Sequence, residues 1–436
     1  MRCTRAIAGL GCAAALASAC GDSGKREPTP VAARPVATAI CGPVTYGGEG
    51  RPQLLIANSG PLQGPFSDHG VQNAQAVKLV LAQRGWRAGR FTVGVQVCDE
   101  ASAASPLPSA AKCARNAKAF AADKSVVAVL GPVTSTCTGA MLPIVNQAPG
   151  GALPVISMSS TYLGLTRAGP GVARGDPDAL YPTGEHSFAR VVPADDVQGA
   201  ASALYAQRLG VRHPYVLHHD ETWGAGVATA FRTAATRLGM DVAGMDEWDR
   251  RARDYKRLAQ RVRRTGADGV YVAGYAIADN GARLIKDLRR QLGSGVPILA
   301  PDGFNEPAAL VEGAGAGAEG VVITLAAIPT QKLPPAGLRF AQEFERRFGS
   351  LPCCYSVYSG QATHALLDSI AASDGSRAGV LRNLMGRRVR SGLLGDFAID
   401  RYGDTTLTDI AVYRVHGARL RLAAVIRPSA DLLDRR

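Results

Sequence analysis

The chain has 436 residues, 46% of them hydrophobic and 19% charged, with a formal net charge of +13. That length and apolar content suit a buried core spread over about two domains and exclude a chain disordered throughout. The positive charge is an arginine excess on expected helix faces, where Arg250, Arg251, Arg253, Lys256 and Arg257 are interleaved with Asp249 and Asp254. Such a spread is a solvated surface, and nucleic acid is not an expected partner.

At the N-terminus, Arg2 and Arg5 precede a small, apolar run over 6–19. It is too short to stay in a bilayer but long enough for an export signal. The run ends in Leu16-Ala17-Ser18-Ala19-Cys20, which resembles a bacterial lipobox. On that reading residues 1–19 are removed as a lipoprotein signal peptide, and Cys20 becomes the lipidated first residue, anchored to the outer face of the cell membrane. Leu16 stands four rather than three residues before the cysteine, so an ordinary cleavage near Ala19 with Cys20 unmodified stays open. Both routes take the chain out of the cytoplasm.

Nine cysteines less Cys3, Cys12 and Cys20 leave six, namely Cys41, Cys98, Cys113, Cys137, Cys353 and Cys354. An even number in an oxidising compartment favours disulfides, with the pairing undetermined by spacing. No two cysteines have the CxxC spacing of a zinc site, and no histidine lies near Cys98, Cys113 or Cys137 in sequence, so no metal is expected.

Residues 20–50 are rich in Pro, Ala, Gly and Thr without apolar periodicity and read as a flexible tether. Strand-like runs then appear at 54–57, 91–97, 126–130, 155–157, 215–217, 269–273, 298–300 and 320–324. Helix-length amphipathic stretches lie between most of them, at 71–83, 110–122, 225–238, 255–264 and 280–291. This alternation predicts βαβ units, and hence parallel sheets covered by helices on both faces. A short extended segment at 187–193 separates one set of units from a second that starts at Asp195. The last third holds helices at 335–347 and 358–372 and strands at 397–400, 407–415 and 420–426. The expected division is an N-terminal lobe of 51–192 plus 326–394 and a C-terminal lobe of 193–325 plus 395–427.

From about 54 to 426 the chain resembles the leucine/isoleucine/valine-binding type of ABC transporter substrate-binding lipoprotein, with the type I periplasmic-binding-protein fold. The resemblance rests on Ile56-Ala57-Asn58-Ser59-Gly60-Pro61, on Val129-Leu130-Gly131-Pro132-Val133-Thr134-Ser135-Thr136, and on the run from Ile156 to Thr166. In the second half it rests on His218-His219-Asp220-Glu221-Thr222-Trp223-Gly224, Val272-Ala273-Gly274-Tyr275 and Ala300-Pro301-Asp302-Gly303-Phe304. It implies an α/β fold of two Rossmann-like lobes joined by a hinge, which captures a small polar ligand, amino-acid-like, for an ABC permease without a cofactor or catalysis. It further implies that Ser135, Thr136, Ser159 and Thr161 hold the ligand from one lobe, where a helix start offers N–H donors and a positive dipole end. Trp223 and Tyr275 close over the ligand from the other, and Asp302 pairs with its ammonium. Asp302 is shorter than the glutamate common in characterised branched-chain binders, and Trp223 is bulkier than their tyrosine, so amides and urea-like compounds also stay open.

Other signals carry less. Gly315-Ala316-Gly317-Ala318-Glu319-Gly320 fits GxGxxG, but it precedes a strand, whereas a phosphate loop follows one. His218 and His219 are adjacent strand positions facing opposite ways, which suits structural or rim roles better than a shared metal. No GxSxG elbow, HExxH helix or P-loop occurs, so a secreted hydrolase or NTPase has no anchor in the sequence. A ligand-sensing receptor module of the same fold is the remaining alternative to transport.

Overall fold

The computed structural model describes Ala33, Val36 and residues 41–102, 107–353 and 355–433. The export signal, Cys20, most of the expected tether and Cys354 lie outside the described residues.

The first sheet is built, in chain order, from β1 (Cys41–Thr45), β2 (Leu54–Gly60), β3 (Arg87–Ala88), β4 (Phe91–Asp99), β5 (Val126–Leu130), β6 (Val155–Ser157) and β7 (Phe188–Arg190). Its spatial order is β1-β4-β2-β5-β6-β7, with β3 beside β4. The pairs from β4 through β7 are parallel, while β1 and β3 run antiparallel to β4. The second sheet takes β8 (Pro214–His218), β9 (Gly244–Glu247), β10 (Gly269–Ala273), β11 (Ile298–Ala300) and β12 (Val322–Leu325), all parallel. A separate hairpin of β13 (Arg388–Gly392) and β14 (Gly395–Ala398) follows, and β15 (Ile410–His416) and β16 (Arg419–Ile426) then extend the second sheet antiparallel on the β12 side. That sheet reads β16-β15-β12-β11-β10-β8-β9.

The helices that cover these sheets are α1 (Ser67–Gln83), α2 (Ala110–Ala122), α3 (Ser135–Asn146), α4 (Asp195–Arg208), α5 (Thr222–Arg237), α6 (Lys256–Arg264), α7 (Gly281–Leu292), α8 (Pro307–Ala314), α9 (Pro335–Phe348), α10 (Ser356–Ala371) and α11 (Arg377–Leu384). No helix among the described residues is long and apolar enough to cross a membrane.

Parallel strands covered on both faces must be apolar on both, which is why the uninterrupted runs at 126–130, 155–157, 269–273 and 298–300 become strands with those same bounds. Alternate side chains then feed different cores. Leu54, Ile56, Ala128, Leu130, Val216, Tyr271 and Leu299 enter one cluster shared by both sheets. Leu55, Ala57, Val126 and Val129 face a second cluster outside the first sheet, and Leu217, Val270, Val272 and Ile298 a third outside the second.

Two expectations need correction. The tether does not extend to residue 50, because Cys41–Thr45 is an edge strand on β4, and Ala33 and Val36 are buried against the same body. Gly42 and Pro43 masked it in the sequence, yet an edge strand is where proline costs little, since one row of its amides faces away from the ladder. Both sheets are mostly parallel, as expected; in the second, β15 joins antiparallel to β12 and β16 follows it by a tight hairpin, which can pair only antiparallel. Residues 395–398, expected in the C-terminal lobe, pair with β13 and not with the second sheet.

The cysteine pairing is also resolved in part. Cys41 bonds to Cys98 and Cys113 to Cys137, and Cys353 is disulfide-bonded too. Cys41–Cys98 closes a 57-residue separation and ties the edge strand to its neighbour β4. Replacing both cysteines by serine is expected to lower unfolding free energy by about 2–4 kcal/mol, read as a lower urea midpoint.

Candidate functional site

The loops at the carboxyl ends of β5, β6, β8, β10 and β11 converge on a cavity of about 50 Å³. Clefts at strand carboxyl ends are where open parallel sheets present loops and helix starts to a ligand. Six of the residues expected at the site line it together: Ser135, Ser159, Thr161, Trp223, Tyr275 and Asp302. Thr136 does not. Its hydroxyl donates instead to Glu221 Oε2 at 3.1 Å, joining the start of α3 to the residue before α5.

The wall from the first sheet is a set of hydroxyls held by backbone. Thr134 caps α3, its side chain accepting from the Cys137 N–H at 3.4 Å, and Ser135 Oγ accepts from the Tyr162 N–H at 3.1 Å. Ser159 donates to the Val133 carbonyl at 2.7 Å. The N–H groups of Ser135 and Thr136, the first two in α3, have no acceptor among the described residues. A helix start with free donors favours a negative group.

Beneath this wall, Glu100 is fully buried, with Ser59 donating to one oxygen at 3.0 Å and the Val133 N–H to the other at 3.1 Å. Burial pushes its carboxyl up to about 7. Cys113 and Cys137 lie close to it, but their sulfurs are joined in a disulfide and offer no thiolate to a metal.

The loop after β6, which carries Ser159 and Thr161, is tied down by a buried ion pair. Arg190 is fully buried; it donates to the Ser160 and Tyr162 carbonyls at 3.2 and 2.9 Å, to Thr166 at 2.6 Å and to Asp404 at 2.8 Å. Arg167 also reaches Asp404, at 2.7 Å. Burial alone would raise the Asp404 carboxyl, but Arg190 and Arg167 outweigh it and hold the group below its ordinary range.

The wall from the second sheet is aromatic and acidic. The Trp223 and Tyr275 rings pack at 4.8 Å, and Trp223 Nε1 donates to Thr161 Oγ1 at 3.1 Å and to Asp195 Oδ1 at 3.2 Å. Behind them His219 and Asp279 are both fully buried, Nδ1 to Oδ2 at 2.8 Å, and Asp279 accepts from the Tyr275 N–H at 3.0 Å. This places His219 in a structural role behind the cleft. Asp302 accepts from Tyr355 at 2.5 Å and from Gln198 at 3.1 Å. Burial raises its carboxyl above the usual range against the pull of those bonds.

Phe66, His69, Asn305 and Tyr355 also line the cavity and were not foreseen. Phe66 meets Tyr275 edge-on at 5.6 Å, and His69 faces Glu306 at 3.5 Å. Tyr355 stands at φ 68°, a left-handed conformation costly to a bulky residue, immediately before α10. That strain, together with its bond to Asp302, was the signal available, but only backbone geometry displays it.

A family model described as periplasmic binding protein matches residues 53–419, and the chain belongs to that family. Membership places it outside the cytoplasm. An amino acid binding protein from Pseudomonas aeruginosa is 28% identical over 229 residues, 51% of this chain; the chain spans 59% of that relative's length. Among solved structures, a leucine binding protein from Thermotoga maritima superposes with a TM-score of 0.71 at 24% identity, covering 86% of this chain and 99% of the other. A solute binding protein from R. palustris in complex with 4-hydroxybenzoate gives 0.71 at 16% identity, covering 87% and 98%. Both show the same fold.

Because truncating one partner of a buried pair leaves the other charge uncompensated, Asp404→Ala is expected to cost about 3–5 kcal/mol in urea unfolding. An exposed pair such as Arg346–Glu343 is expected to be nearly silent in the same assay.

Proposed function

We propose that this chain is an extracytoplasmic solute-binding lipoprotein that captures an amino-acid-like zwitterion and delivers it to an ABC importer. The bodies built on the two sheets shut around the ligand by hinge motion, and the permease recognises the closed form. The observation that carries the choice of ligand is the charge of the cavity. None of its lining residues is Lys or Arg, one is the acid Asp302, and the anion-favouring group is the start of α3. A simple aromatic acid brings a negative charge with nothing positive to answer Asp302. A zwitterion places its carboxylate at Ser135, Ser159 and the α3 N–H groups, its ammonium at Asp302, and its apolar part against Trp223 and Tyr275. Thr161 sits at the junction of the two walls and orients Trp223 through the indole N–H.

Thermal-shift screening of amino acids, amides and aromatic acids tests the ligand class, because a bound ligand stabilises the native state by mass action. Amino acids are expected to raise the melting temperature. Stabilisation by 4-hydroxybenzoate alone would overturn the zwitterion reading. Asp302→Ala is expected to weaken amino-acid binding by about 2–5 kcal/mol in calorimetry. For the anchor, Cys20→Ser is expected to move the protein from the membrane fraction to the soluble extract of its host, whereas retention in the membrane would remove the lipoprotein assignment.

A further inference from the structure

The floor below Trp223 holds more hydrogen-bond acceptors than donors. Asp195 opens α4, is 1% exposed, and has one carboxylate oxygen bonded to the Trp223 indole while Oδ2 has no partner. Gln198, on the same face of α4 one turn on, is fully buried; it spends its amide N–H on Asp302 Oδ1 and the Thr324 carbonyl, and its Oε1 also has no partner. Asp302 adds a second carboxylate within electrostatic range of the first. Two carboxylates and an amide oxygen thus share one water-poor floor, where two buried acceptor atoms and the nearby Tyr271 hydroxyl have no hydrogen-bond partner. Buried acceptors without donors cost free energy, and two neighbouring carboxylates resist ionising together.

A proton resolves both problems. Placed on Asp195 Oδ2, it turns a partnerless acceptor into a donor, and it removes the repulsion with Asp302. We propose that this floor stores one proton on the Asp195–Asp302 carboxylate pair, and that the ligand's ammonium displaces it into solvent on capture. This rests on the zwitterion reading above. The balance is one proton released for one cation taken in. The ammonium keeps all three of its own protons and pairs with Asp302, so the charge of the floor is the same before and after. Asp195 senses the incoming charge through the low-dielectric floor, so ligand contact with it is not required.

The surroundings agree with storage of a proton. Burial, then Asp302 and Asp196, raise the Asp195 carboxyl to about 7, against Thr161 and Arg190. Arg190 is already committed to Asp404. On the Asp302 side the nearby imidazole is His69, which faces Glu306 at 3.5 Å, and the other titratable neighbours are the hydroxyls of Tyr271, Tyr275, Tyr162 and Tyr355.

The sign follows from linkage. The folded, ligand-free chain holds a proton between about pH 4 and 7 that the unfolded chain has lost, so Asp195 lowers stability as pH rises through that window. Ligand binding requires the ionised pair, so affinity rises with pH up to about 7 and levels off above it.

Two measurements decide the matter. L-leucine binding followed by calorimetry at pH 6 in phosphate and in a second buffer of larger ionisation heat is expected to show release approaching one proton per leucine, fading by pH 8, with an apparent Kd falling up to tenfold per pH unit below 7. Leucine binding with no proton release at pH 6 would overturn the proposal. If leucine produces no heat at all, the zwitterion reading is what has failed for that probe, and a ligand-free arm still decides the stored proton. Wild type and Asp195→Asn are melted at pH 5 and pH 8; asparagine keeps an acceptor for Trp223 and has no carboxyl proton to lose. Wild type is expected to lose several degrees more than the variant on going to pH 8. Equal losses would mean that Asp195 carries no proton.

Discussion

The cleft depends on the ion pair between Arg190 and Asp404. Arg190 ends a three-residue strand, and its guanidinium gathers the carbonyls of Ser160 and Tyr162, the hydroxyl of Thr166 and a carboxylate 214 residues further along the chain. A guanidinium in this setting would cost several kcal/mol if left unpaired, so the segment around Asp404 cannot drift without the Ser159–Thr161 loop drifting too. The planar fork of arginine suits the task, because it serves several acceptors at fixed angles where a lysine would serve as a point charge. One wall of the cleft is therefore set by a late crossing of the chain rather than by the local sequence that supplies its hydroxyls.

How much was legible follows from that division. Continuous apolar runs announce covered parallel strands, and helices such as 110–122 begin after a capping serine, so the elements and their alternation could be read residue by residue. Ser135, Ser159, Thr161, Trp223, Tyr275 and Asp302 could be placed because each follows a strand in a loop with a recognisable pattern. Phe66, His69 and Tyr355 could not, since they approach the cavity from α1 and the start of α10, elements that look like ordinary cover. Thr136 lies next to Ser135 in sequence, but a helical step of about 100° turns it toward Glu221. Neighbouring positions at a helix start serve different partners, and pattern alone does not say which one faces the ligand.

The closed geometry has its own consequence. With about 50 Å³ between the walls, and with Thr136 bonded to Glu221 and Trp223 to Thr161, the proposed hinge motion would have to part the sheets to admit a ligand. The contacts broken on opening are single neutral or singly charged hydrogen bonds, worth about 1 kcal/mol each net. A device that opens cheaply and closes around a filled cavity is what selective capture needs.

The two deeply buried acids near the cleft divide structure from function by the state of their oxygens. Glu100 has both occupied, one by Ser59 and one by the Val133 N–H, so it is complete as it stands and serves to brace the turn before α3. Asp195 has one occupied and one without a partner, in a position where the cleft meets α4. Burial raises both carboxyls to about 7, so the shift itself does not distinguish them. What distinguishes them is unfinished hydrogen bonding. A satisfied buried acid asks nothing of a ligand, whereas an unsatisfied one beside a second carboxylate makes the floor's free energy depend on which cation occupies it.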